Sequence, residues 1–165
     1  DYDLMATSKT AYYSAATPLA AGAIAAGGTD AQVEAFRRFG MACGLAFQLQ
    51  DDLLNLVGDA QAQGKDFRSD VTEGKRTLVA VRALATLSGE KRDELLAILS
   101  SHATDERELA RAGELMDGCG AIDYARDRAH GLVRDARGAL DGIELQAEAR
   151  NTLISMADFF VERLS

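Results

Sequence analysis

FGMACGLAFQLQDDLLNLVGDAQAQGKDFRSDVTEGKRT, residues 39–77, carries most of what this chain says about itself. Gly44, Gln48, Asp51, Asp52 and Asn55 fall at i, i+4, i+7, i+8 and i+11. That spacing places all five on one face of an α-helix. Phe36, Phe39, Cys43, Ala46 and Leu53 fall on the opposite side. The stretch is expected to be one helix, capped at Thr29 or Asp30 and running to about Val57, with a greasy side and an acidic side. Adjacent carboxylates repel each other, and a cation between them relieves the repulsion. Oxygen ligands and a need for phosphate contact point to Mg²⁺, although the spacing by itself favours a solvated acidic face, since acidic pairs on helices are common. Lys65, Arg68, Lys75 and Arg76 follow, interleaved with Asp66, Asp70 and Glu73. Such a mixture suits a metal-bridged diphosphate.

Outward from that helix, the patterning stays helical. A first helix is expected over roughly residues 3–26, bent at Pro18 and ended by Gly27 and Gly28. A polar loop is expected from Gly58 to Asp70, then a helix from about Val71 to Leu87. Further helices are expected from Lys91 to His102, Glu106 to Cys119, Ala121 to Leu140 and Glu144 to Leu164. Ile122, Ala125, Ala129, Leu132 and Val133 recur at helical spacing, as do Leu145, Ala149, Thr152, Leu153, Met156, Phe159 and Phe160. Both stripes are read as core. No strand alternation is present, so the fold class is all-α.

Composition agrees. The 165 residues include one proline and no tryptophan, and 47% are hydrophobic, which favours helix and a real core. The formal net charge of -8 excludes nucleic acid as an expected partner, since a phosphate backbone needs a basic face. Cys43 and Cys119 show neither metal-like nor redox spacing and read as reduced thiols, which suits the cytoplasm. His102 and His130 read as structural or surface residues. The apolar run from Ala15 to Ala26 is too short for a transmembrane segment. The opening DYDLMATSKT has no initiator methionine and reads as the middle of a longer chain.

The motifs, taken in order, resemble a known family. F-Q-L-x-D-D at Phe47 to Asp52, G-K at Gly64 and Lys65, and S-D-V-x-E-G-K-x-T at Ser69 to Thr77 are similar to the trans-isoprenyl diphosphate synthases of farnesyl and geranylgeranyl type. So are the Lys-Thr helix at Lys9 and Thr10, the stretch GAIDYARDRAHGLVRDA and the closing MADFFVERL. The resemblance covers nearly all of the chain. It implies an isoprenoid-synthase-type helical bundle, with residues 1–165 as the C-terminal part of a single polyprenyl synthetase domain. The N-terminal half, with the first aspartate-rich motif, is expected outside these residues.

The activity implied is a Mg²⁺-dependent prenyltransferase that condenses isopentenyl diphosphate with an allylic diphosphate. The chain alone is expected to be inactive, and the whole enzyme to be a homodimer. By the same resemblance Asp51, Asp52 and Asn55 would be metal ligands, and Lys9, Lys65 and Lys75 would contact the diphosphate. Thr10 and Gln48, with Lys9, would serve catalysis, and Phe47 would lie along the substrate chain. The family pattern is D-D-x-x-D, and Asn55 departs from it at the fifth position; Asp59 or Asp70 could substitute in an outer role. That departure leaves an alternative, a non-catalytic partner subunit of a heteromeric synthase.

Overall fold

The computed structural model describes residues 2–57 and 69–162. Every regular element among them is helical. They form two compact units, one of residues 1–50 with 128–165, the other of residues 51–127.

The first unit begins with α1 (Tyr2–Ala6), a π-helical stretch (Thr7–Ala16) and α2 (Thr17–Ala25). The single bent helix expected at the start is therefore three segments. In the π stretch each N–H reaches back five residues, as the Thr17 N–H does to the Tyr12 carbonyl. The α-helical register resumes at Thr17, and Pro18 sits in that new first turn, where its missing N–H costs least. Gly27 adopts a φ of 73°, and the Gly28 N–H closes on the Ala23 carbonyl at 2.9 Å, which stops α2.

Helix α3 (Asp30–Val57) opens with a capping box. The Gln32 N–H donates to Thr29 Oγ1 at 3.3 Å, and the Thr29 N–H donates to Gln32 Oε1 at 2.8 Å. Of the two expected caps, Thr29 is the one used. The helix is more deeply embedded than a two-sided reading suggests. Ala42, Leu49, Leu54 and Leu56 are buried along with Phe39, Cys43, Ala46 and Leu53.

The second unit takes α3 from Asp51 onward, then α4 (Ser69–Thr72), α5 (Leu78–Thr86), α6 (Gly89–Ser101) and α7 (Glu106–Gly118). Helices α4 and α5 pack on both α6 and α7. The continuous helix expected from Val71 to Leu87 is broken. Gly74 takes a φ of 63°, the Lys75 N–H bonds the Asp70 carbonyl at 2.9 Å, and the Gly74 N–H bonds the Val71 carbonyl at 3.0 Å. That is a Schellman stop. Thr77 then caps α5 by accepting from the Ala80 N–H at 3.2 Å. His102 is structural, as expected: it ends α6 in the left-handed region, and its Nδ1 lies 3.0 Å from the Thr72 carbonyl.

Helix α8 (Ala121–Ala139) buries Ile122, Ala125, Ala129, Leu132 and Val133, as its stripe implied. The stripe of α9 (Ala147–Glu162) does not behave this way. Met156 and Phe159 are 47% and 60% exposed, and the buried residues are Ala157 and Val161. Met156, Phe159 and Phe160 instead border an open apolar groove of about 900 Å³ with Thr152 and Ser155. A stripe shows which side is apolar, not whether anything covers it.

Candidate active site

In the first unit, the π stretch and α3 are in backbone contact. A Cβ on Gly44 would lie 2.5 Å from the Ala11 Cα, and one on Gly40 would lie 2.6 Å from the Ala16 Cα. No real side chain tolerates that. Gly44 is therefore a packing residue, not part of an open polar face as its spacing suggested. The close approach places Thr10 over the next turn of α3. There the Thr10 hydroxyl donates to Gln48 Oε1 at 2.7 Å. Lys9 is exposed one residue earlier on the same stretch. Phe47 is partly exposed, and its ring meets that of Phe160 edge to face, with centroids 5.5 Å apart.

π-Helical turns are rare and are frequently found at functional sites. This one carries two of the sequence-expected site residues, Lys9 and Thr10. Cys43, between the two contact glycines, is 3% exposed, and burial pushes its thiol up to about 12. It has no nucleophilic character.

In the second unit, Asp51 is half-buried and Asp52 only 9% exposed. A carboxylate so deep must be compensated by hydrogen bonds or positive charge. Asp52 lines a water-sized cleft of about 10 Å³ with Asn55, Asp70, Lys75 and Thr77. The Lys75 ammonium lies 2.5 Å from Asp70 Oδ1 and 3.1 Å from Glu73 Oε2. The hydrogen bond to Asp70, more than any other influence, raises the Lys75 pKa above the ordinary lysine value.

Asn55 turns toward α4. Its Nδ2 donates to Ser69 Oγ at 2.8 Å, and its Oδ1 accepts from the Asp70 N–H at 3.0 Å. Lys65 and Asp59 lie outside the described residues, as does most of the expected polar loop.

Three residues of this picture were not singled out by sequence reasoning. Ala11 has a visible counterpart only in the Gly40–Gly44 pair, a small-residue ridge four residues apart. Ser69 falls within a motif, but its bond to Asn55 spans 14 positions and has no local signature. Gln50 is 3% exposed, and its Nε2 has no hydrogen-bond partner among the described residues. Among those residues, no three His, Cys, Asp or Glu side chains are grouped to hold an ion. The donors still fit Mg²⁺, which usually takes one or two carboxylates and completes its shell with phosphate oxygens and water. Asp51 and Asp52 are two such carboxylates.

An all-helical chain with these two constellations is of isoprenoid-synthase type, and its solved likenesses agree. Geranylgeranyl pyrophosphate synthase from Corynebacterium glutamicum, crystallised with isoprenyl diphosphate and magnesium, superposes with a TM-score of 0.92 at 33% identity, over 98% of this chain and 46% of its own. Polyprenyl synthase from Caulobacter crescentus, complexed with calcium and isoprenyl diphosphate, gives 0.87 at 35% identity, over 99% and 49%.

The polyprenyl synthetase family model matches residues 1–116. A short chain isoprenyl diphosphate synthase of Methanothermobacter thermautotrophicus is 40% identical over 163 residues, 99% of this chain and 49% of that protein. The chain belongs to the polyprenyl synthetase family. It spans about half the length of the curated relatives it matches. Among the described residues, no helix is long and apolar enough to cross a membrane.

Proposed function

We propose that this chain is the part of a trans-prenyltransferase that carries the second aspartate-rich motif. The enzyme joins isopentenyl diphosphate to an allylic diphosphate and yields a longer trans-polyprenyl diphosphate. A segment of similar length carries the first motif, and the assembled enzyme is a homodimer. The observation that carries this reading is the Thr10–Gln48 hydrogen bond. It joins two residues 38 positions apart to which the family likeness gives one role, next to an allylic diphosphate. The uncovered groove on α9 supports the reading of a further segment.

Each residue has work that its chemistry allows. Asp51 and Asp52 would hold Mg²⁺, which, when bound, neutralises the departing diphosphate. Lys9, Lys65 and Lys75 would meet diphosphate oxygens as point charges. Lys75 already shares its charge with Asp70 and Glu73, so its pull on an anion is partly spent. The Thr10 hydroxyl is committed to Gln48, which leaves lone pairs on the threonine oxygen to face a developing allylic cation. Phe47 and Phe160 offer an apolar wall to the isoprenoid chain. No protein nucleophile is required.

The test is condensation of labelled isopentenyl diphosphate with allylic diphosphates of several lengths. It should be run on the chain alone and on the chain with the segment equivalent to its relatives' other half. We expect Mg²⁺-dependent product only in the second case. Asp51→Ala should lower turnover by at least about 100-fold, the scale of losing a stabiliser of developing charge. Full turnover by Asp51→Ala would sink the reading. Substrate-analogue binding without turnover in the assembled wild type would instead favour the non-catalytic partner subunit.

A further inference from the structure

Asn55 stands where the family pattern has an aspartate, yet its amide is occupied on both sides. The Asp70 N–H can only donate, so the atom facing it must be oxygen, and the nitrogen must then face Ser69. These two bonds fasten the start of α4 to the last turns of α3. The far end of α4 is fastened as well. Gly74 closes the Schellman stop, and a Cβ there would strike the Leu99 carbonyl at 2.7 Å. His102 reaches the Thr72 carbonyl at 3.0 Å. Between these two fixed ends, Asp70 presents its carboxylate to Lys75 at 2.5 Å. Asp70 and Lys75 line the same small cleft as Asp52.

We infer that Asn55 is a positioning residue: its amide latches α4 onto α3 and thereby sets where the Asp70–Lys75 pair stands in the cleft lined by Asp52. In this reading Asn55 is not a weakened metal ligand. Its side chain supplies what α4 needs at its first turn, an acceptor for an otherwise orphan backbone N–H and a donor to the Ser69 hydroxyl. An aspartate could do the same work. Its two oxygens would accept from the Asp70 N–H and from Ser69, whose hydroxyl is free to rotate and donate. The latch stands on the geometry alone. Its consequence for diphosphate binding rests on the proposed function.

Two measurements separate the parts. The first is Asp70 amide hydrogen exchange in the 165-residue chain, kept metal-free with a chelator. Asn55→Ala should speed that exchange about 10-fold, and Asn55→Asp should stay within about 3-fold of wild type. The second is calorimetric binding of inorganic pyrophosphate in the presence of Mg²⁺. Asn55→Ala and Ser69→Ala should weaken it in parallel, by about 3- to 10-fold, and Asn55→Asp should restore it.

Unchanged Asp70 exchange in Asn55→Ala would overturn the latch. Weakened binding in Asn55→Ala with none in Ser69→Ala would overturn it too, since Ser69 would matter only through α4. A wild-type chain that binds no pyrophosphate would overturn the ligand-binding consequence and count against the proposed function. The exchange data would still uphold or overturn the latch.

Discussion

Thr10 and Gln48 in the first unit are held together differently from Asn55, Ser69 and Asp70 in the second. Below the Thr10–Gln48 bond, two glycines of α3 lie against the Cα atoms of Ala11 and Ala16. The polar pair is a consequence of backbone contact, with no slack in it. In the second unit the start of α4 is tied to α3 by two side-chain bonds, and each is worth about 1 kcal/mol net. The first arrangement fixes geometry through packing and is lost all at once. The second fixes it through exchangeable hydrogen bonds and can be adjusted one bond at a time. A steric contact suits the role proposed for Thr10 and Gln48, beside a reacting carbon, and a polar latch suits the positioning role proposed for Asn55.

Gly44→Ala should show the largest effect. Alanine improves helix propensity by about 1 kcal/mol, yet its Cβ would overlap Ala11 at 2.5 Å. Backbone on both sides leaves nothing flexible to yield. We expect a net loss of about 3 kcal/mol and a Tm lower by roughly 10 °C, read by circular dichroism. Asn55→Ala, which touches only the polar latch, should cost about 1–2 kcal/mol. If Gly44→Ala proved the milder of the two, the contrast between steric and polar positioning would collapse.

Gln50 sharpens the contrast from the other direction. It lies in the same closely packed helix, where its buried Nε2 has no hydrogen-bond partner among the described residues. An unpaired buried amide costs about 1–3 kcal/mol, and leucine has similar bulk without the polar atoms. Gln50→Leu should therefore leave stability unchanged or raise it by about 1 kcal/mol, in urea melts with an unaltered m-value. Destabilisation beyond about 1 kcal/mol would mean that the amide has a role that its contacts do not reveal.

How far the sequence could reach follows the same division. The span of α3 was legible because a run of 28 residues repeats one periodicity, while its cap was legible only as Thr29 or Asp30. The all-α class followed from patterning that never alternates. The π stretch was not legible, since nothing in TSKTAYYSAA marks an N–H that reaches back five residues instead of four. The stop at Gly74 was available in principle, as glycine followed by lysine, but the apolar pattern beyond it outweighed the single residue. The exposure of Met156 and Phe159 was not legible, because periodicity reports amphipathicity and not cover. Within the site, the roles of Lys9, Thr10, Gln48 and Lys65 came from the family likeness. The Asn55–Ser69 bond joins residues on either side of the G-K segment, and no local rule links them.

The smallest effect is a matter of titration, and it reads the two units separately. Cys43 lies beside Gly44 in the close-packed region, and burial lifts its thiol from 9.0 to about 12. The folded chain therefore keeps the proton where the unfolded chain gives it up. Stability from this source is complete below about pH 9 and is lost as the pH climbs toward 12. Lys75, in the second unit, also has a raised pKa, because Asp70 and Glu73 hold its charged form. Its contribution is likewise present at lower pH, and its loss begins only above 10.5, the ordinary lysine value. Between about pH 8.5 and 10 Cys43 should thus add a downward slope to the stability profile, and Cys43→Ala should make the profile shallower at a lower overall stability. Thiol labelling at pH 8 offers an independent check. Cys119, partly exposed, should react readily, while Cys43 should wait for the first unit to open. Equal labelling of both thiols in the native protein would mean that the glycine contact opens freely, and the steric half of the comparison would fail.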